Sequence, residues 1–254
     1  MAKKSKGYCR LNESFHALLT LLLFLVLFPG YSHAQGVYKA AHGEWEAIIF
    51  GSGSFLGDGV YPTPVEGSSQ SSSRAVGLSY GTGFQMGIQV TDNQWKHWGT
   101  GFEYSFTNQP LTFTNLSDSV PSLGLGQAIH GFAYDILYYP RDRDYKLRPF
   151  VFAGPGVSLF HINSSGKDAA AALGIHLSDP WKFTMNWGGG MKYLLRKQVA
   201  AAFQFSDRIS GVPGYGLPET GKVQSGTYIP GFRPEGLMHN WMVRFGIAFQ
   251  WDDN

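Results

Sequence analysis

The chain reads as all-β: an eight-stranded antiparallel up-and-down transmembrane β-barrel. Three observations predict this. Residues 241–251 alternate strictly, with Trp241, Val243, Phe245, Ile247, Phe249 and Trp251 on one face and Met242, Arg244, Gly246, Ala248 and Gln250 on the other. Period-2 alternation marks a strand with two unlike faces, and a tilted strand needs about 9–11 residues to cross a bilayer. Seven more segments carry related patterns, and their connections run long, short, long, short, long, short, long. That is the layout of a barrel with short turns at one rim and long loops at the other.

Residues 1–34 read as a secretory signal peptide. Lys3, Lys4, Lys6 and Arg10 precede a leucine-rich core from Ala17 to Phe28, and Ser32-His33-Ala34 is a small-residue cleavage site. The core is short for a transmembrane helix, so an uncleaved anchor is the weaker reading. The barrel domain is then 35–254. Removing the signal, with its four basic residues and Glu13, changes 20 Lys+Arg against 18 Asp+Glu into 16 against 17. The precursor's basicity therefore gives no ground for nucleic-acid binding. The only cysteine, Cys9, lies in the signal, which removes disulfides and cysteine metal sites from the mature chain. No cofactor or metal site is expected.

The strands follow in order. The first, 43–57, sets Ala47 and Ile49 opposite Glu46 and has the least regular pattern. A stretch rich in Gly, Ser and Pro leads to the second, 74–91. There Val76, Leu78, Tyr80, Phe84, Met86, Ile88 and Val90 share one face with glycines and glutamines opposite. The third, 98–107, opposes Phe102, Tyr104 and Phe106 to Gly101, Glu103 and Ser105. The fourth, 127–139, sets Phe132, Tyr134, Ile136 and Tyr138 against Gly131, Ala133 and Asp135. The charged turn 141–144 joins it to the fifth, 147–162. In the next loop Ala169 to Ala172 favour a helical turn. The sixth, 181–195, alternates Phe183, Met185, Trp187, Met191 and Tyr193 with Thr184, Asn186, Gly188, Gly190 and Lys192. The seventh starts at Val199, and the longest loop, 209–238, precedes the eighth.

A soluble barrel would turn its apolar face inward. Eight strands enclose a space that side chains just fill. Trp, Phe, Tyr and Ile from nearly every strand would overfill it, whereas glycine, alanine and a few polar residues fit. The bulky face is therefore the lipid face. Trp45, Trp98, Tyr138, Trp181, Tyr193, Trp241 and Trp251 lie near strand ends, where aromatic girdles sit. The inward set holds Glu46, Glu103 and Asp135 against Lys192 and Arg244. Buried charges require partners, so a charge network plugging the lumen is expected. Arg244 is its predicted hub, with Glu46 as a neighbour. Arg141, Arg143, Lys146, Arg148, Arg196 and Lys197 read as solvated turn residues.

Arg148-Pro149-Phe150-Val151-Phe152-Ala153-Gly154-Pro155-Gly156-Val157 and Trp187-Gly188-Gly189-Gly190-Met191-Lys192-Tyr193-Leu194, followed by Ser206-Asp207-Arg208-Ile209-Ser210, resemble strands of the outer membrane protein β-barrel domain family. This family includes the small barrels related to the transmembrane domain of outer membrane protein A and to outer membrane protein W. The resemblance covers the mature chain. It implies an eight-stranded barrel inserted by the outer-membrane assembly machinery, resident in the cell outer membrane among its lipid and lipopolysaccharide, and names no substrate. The family's terminal aromatic is followed here by Asp252-Asp253-Asn254.

The glycine runs lack the strand–loop–helix context and lysine spacing of a phosphate loop. An acyl hydrolase acting on lipid A needs serine, histidine and an acid within hydrogen-bond reach. Ser206 adjoins Asp207 but no histidine, and the six mature histidines, His42, His97, His130, His161, His176 and His239, are dispersed. No catalytic residue is assigned. The expectation is a non-enzymatic, monomeric barrel that is structural or binds a ligand or partner through its loops. A narrow porin-like or hydrophobic-ligand channel is the alternative, and the acyl hydrolase comes second to it.

Overall fold

The computed structural model describes residues 42–66, 72–93, 95–224 and 227–252. The predicted signal peptide lies outside the described residues. Twelve strands and one helix are described: β1 (Trp45–Leu56), β2 (Gly59–Glu66), β3 (Ser72–Tyr80), β4 (Gly83–Asp92), β5 (Trp98–Thr114), β6 (Ser122–Tyr138), β7 (Leu147–Ile162), α1 (Ser164–Ala172), β8 (Trp181–Arg196), β9 (Val199–Gly211), β10 (Gly221–Gln224), β11 (Thr227–Ile229) and β12 (Leu237–Trp251). Eight close a ring of antiparallel pairs in the order β1, β4, β5, β6, β7, β8, β9, β12 and back to β1. Closure leaves no sheet edge in the wall, which lipid would not tolerate. The β2–β3 hairpin continues the wall beyond the ring, with β3 still on β5 and β10 alongside β2.

The first loop is therefore largely strand, and the second predicted strand is two. β3 and β4 are separated at Gly81 and Thr82, where the alternation slips by one phase. Below the break Phe84, Met86, Ile88 and Val90 face outward. Above it Val76, Leu78 and Tyr80, of the same parity, are buried inside, against the expectation of one continuous outer face. A matching break at Gly57 and Asp58 separates β1 from β2. Asp58 secures both breaks, accepting from Tyr80 N at 2.7 Å and from Ser79 Oγ at 3.0 Å.

In β5 the polarity inverts without a break. Its outward residues run Phe102, Tyr104, Phe106, then Asn108, Pro110 and Thr112, while its inward residues run Glu103, Ser105, Thr107, Gln109, then Leu111 and Phe113. The strand extends well past the predicted end at residue 107. Sixteen- and seventeen-residue strands thus have two regimes. Near the short turns they are apolar outside and mainly polar inside. Toward the long loops β5 and β6 lose their apolar outer face, whereas β7 and β8 keep it as far as Val157 and Trp181. The interior there is an apolar core of Leu78, Leu111, Phe113, Phe160, Tyr215 and Phe232, among others.

The alanine run forms α1, with Asn163 as N-cap accepting from Gly166 N at 2.9 Å. Asp179 ties this helix to the wall, accepting from Lys167 Nζ at 2.7 Å and Ile162 N at 3.1 Å, with His161 Nδ1 at 2.7 Å. Burial opposes its charge, but these hydrogen bonds hold its carboxyl below the usual carboxylate range.

The lower lumen is not lined by small residues alone. Phe50, Phe150 and Phe152 point inward. They fit because glycines stand opposite: a Cβ on Gly188 or Gly190 would lie 2.9 Å from Phe152 or 3.0 Å from Phe150. The glycine run makes room for rings.

Candidate functional site

All five charges expected in the lumen are buried, on five strands of the ring: Glu46 on β1, Glu103 on β5, Asp135 on β6, Lys192 on β8 and Arg244 on β12. Each lies on its strand's inward parity, so the alternation that exposes its neighbours to the outside aims it at the axis.

The centre is Glu103. Its carboxylate accepts from Arg244 Nη1 at 2.6 Å and Nη2 at 3.0 Å, a bidentate pair, and from Arg208 Nη2 at 2.7 Å. Arg208 also donates to Ser105 Oγ at 3.0 Å. The Arg244 guanidinium lies 4.8 Å from the Phe50 ring centre. Charge-assisted, bidentate bonds of this kind are the strong ones. The predicted hub is corrected: Arg244 sits opposite Ser52, six residues along β1 from Glu46, and the carboxylate, not the arginine, receives both partners.

Glu46 belongs to a second cluster nearer the short turns. It pairs with Lys192, which also donates to Tyr139 Oη at 2.8 Å, and accepts from Gln250 Nε2 at 2.8 Å. His42 Nε2 lies 3.1 Å from the Tyr145 carbonyl and Nδ1 lies 2.9 Å from Gln250 Nε2. The proton therefore sits on Nε2, and Nδ1 accepts. Burial, with Lys192 and Arg148 nearby, pushes His42 down to about 4, so it is neutral at pH 7. Asp135 has no salt bridge among the described residues; both its oxygens lie 3.1 Å from Asn186 Nδ2.

Two cations were missed. Arg208, the last residue before the predicted longest loop, was given no place in the lumen. Arg148 was read as a solvated turn residue but is buried, its guanidinium 3.5 Å from the Tyr139 ring centre. Its signal was parity: it shares a face with Phe150 and Phe152, which also turn inward. Between the polar lumen and the apolar core lies a cavity of about 10 Å³ lined by Leu56, Phe160, Arg208 and Met238, among others. That is no more than the room of one water.

Of the expected girdle, Trp45 pairs with Trp251 across β1 and β12, and Trp98 lies 4.9 Å from Tyr138, both at the turn end. Tyr193 holds Lys146 Nζ at 4.8 Å from its ring. Trp181 is exposed on β8 toward the loop end. Trp241 stacks on His239 at 5.8 Å and on Phe205 at 5.6 Å.

The hydrolase constellation is divided by the wall. His239 Nδ1 lies 2.6 Å from Asp207 Oδ2 on the outer side. Ser206 is buried and pairs in register with inward Met242, whereas Asp207 pairs with outward Trp241. The serine faces away from the pair. Among the described residues no group of three or more His, Cys, Asp or Glu is arranged to hold a metal.

No family model and no curated protein matches the chain. Among solved structures, that of the outer membrane protein OprG from Pseudomonas aeruginosa aligns with a TM-score of 0.56 at 15% identity, covering 85% of this chain and 100% of that one. Outer membrane protein AlkL in DMPC lipid bilayers aligns at 0.48 and 12% identity, covering 87% and 95%. Neisserial surface protein A aligns at 0.45 and 10%, covering 82% and 97%. At these identities the likeness is one of fold, and the OprG alignment carries it: the chain has the fold of the small outer-membrane β-barrels.

Proposed function

We propose that this chain is an integral outer-membrane barrel without enzymatic activity, with a lumen closed by its charge network, acting structurally or by holding a ligand or partner at its long loops. The observation that carries the closed lumen is Glu103 gripped by Arg244 and Arg208 from strands β12 and β9. The small size of the cavity above it supports the same reading. The long loops face outside and the short turns face the periplasm. The tryptophans and tyrosines near the strand ends anchor the wall at the two interfaces. Outer-membrane lipid and lipopolysaccharide surround it, the outer-membrane assembly machinery inserts it, and it works as a monomer. The separation of Ser206 from His239 argues against acyl hydrolysis by that serine.

A second reading, a barrel that holds apolar ligands, is favoured by the apolar core in the loop half of the interior.

Planar-bilayer recording tests the first. The wild type passes little steady current, and Arg244→Glu, which sets a second carboxylate beside Glu103, passes more. A large, stable wild-type conductance overturns the closed lumen and favours the narrow-porin alternative.

A further inference from the structure

The apolar core of the loop half contains one polar knot. Tyr215, from the loop between β9 and β10, is completely buried. Its hydroxyl accepts from Gln127 Nε2 at 2.6 Å and lies 3.1 Å from Tyr80 Oη. Phe113 and Phe160 meet its ring edge-on at 5.7 and 6.5 Å between centres. Its carbonyl accepts from Ser178 N at 2.8 Å. Its φ is +52°, followed by Gly216 at +77°. A bulky residue takes the left-handed region only when its surroundings impose it.

Apolar walls with a few converging polar groups describe a small-molecule pocket. Here the chain itself fills it. Two buried side chains from the wall, Tyr80 and Gln127, address one phenol oxygen, and both would be left unpaired by a ring without a hydroxyl. The ring reaches them on a loop held in a strained conformation, not on a strand.

We propose that Tyr215 is a self-ligand: its phenol occupies a binding site for small hydroxyl-bearing aromatic molecules, phenols as a class, and the 212–218 segment withdraws it when such a molecule binds. The proposal deepens the apolar-ligand reading and rests on it. It adds a preference for a hydroxyl, set by Gln127 and Tyr80, and an occupant that competes with the ligand. Withdrawal releases the left-handed backbone at Tyr215 and frees the Ser178 amide. The exchange makes and breaks no covalent bond.

The test uses the full mature chain in lipid nanodiscs, with 4-fluorophenol as probe and fluorobenzene as its hydroxyl-free control. Fluorine NMR measures binding to Tyr215→Gly, whose folding is checked by its gel shift on heating. The variant should bind 4-fluorophenol about tenfold or more tighter than fluorobenzene, and adding Gln127→Leu should erase most of that difference. In the wild type, 4-fluorophenol should speed amide exchange across 212–218, and fluorobenzene should not. Should Tyr215→Gly fail to fold, Tyr215→Phe keeps the ring and should show the same loop response at lower 4-fluorophenol. Equal binding of both probes overturns the phenol site and leaves the apolar-ligand reading standing. No binding of either overturns both. Binding by the variant with no loop response in the wild type overturns the self-ligand.

Discussion

Side chains on the two faces of one strand answer to different solvents. Phe245 is 64% exposed on the outer wall, next along β12 to the buried Arg244. Phe245→Arg should cost about 2–4 kcal/mol near the bilayer midplane, measured by urea titration of folding into lipid vesicles. Little or no cost of Phe245→Arg would refute the assigned orientation. At the turn end, His42 gives a pH dependence. Its folded pKa of about 4 lies below the ordinary 6.5. The unfolded chain takes up the proton first as pH falls, so the contribution is full above 6.5 and is lost on descending to about 4. The loss approaches ~3 kcal/mol at ~1.4 kcal/mol per unit. His42→Gln should remove that fall from the stability profile between those pH values. The five charges of the lumen were readable because each stands opposite the bulky face of an alternating strand. Their partners were not readable, since pairing depends on how far neighbouring strands are staggered. Arg148 was hidden because the bulky residues beside it turn inward, against the rule that placed bulk outside.

Strands in this molecule are longer than their alternation reveals. Alternation is legible only while one face stays apolar, so β5 reads as ending at residue 107, where its polarity changes sides. In β3 and β4 the apolar parity continued, so the slip at Gly81 and Thr82 went unseen. Leu78 decides the point: it is buried in the core of the loop half, whereas an unbroken strand would place it outside with Met86. Leu78→Ala should therefore cost about 2–5 kcal/mol, the range for emptying a core leucine site, and Ala75→Ser on the outer side should be nearly neutral. Urea titrations of the two variants check this; equal small effects would argue for the unbroken strand. The α1 helix was legible from its alanines, but the Asp179 anchor came from a loop with no period to read.

At the scale of the whole molecule, eight strands and the order of their connections were legible because closure demands them and lipid enforces the outer face. The loop half was not, because above the wall it is water that sorts the residues, and the sorting runs the other way. The inversion on β5 has a consequence for the host bilayer. From Trp98 to Phe106 the outward apolar run spans roughly 20 Å along the bilayer normal, at about 3.3 Å per residue and a tilt of about 40°. That is thinner than a typical hydrocarbon core of about 30 Å and matches membranes on the thin side. Unassisted refolding should thus run further to completion in vesicles of short-chain lecithins than of long-chain ones, read as the fraction that migrates differently when unheated. The reverse order would mean that the polar stretch beyond Phe106 also lies in hydrocarbon. The place where alternation changes sides is then a depth mark that β5 carries in its own residues.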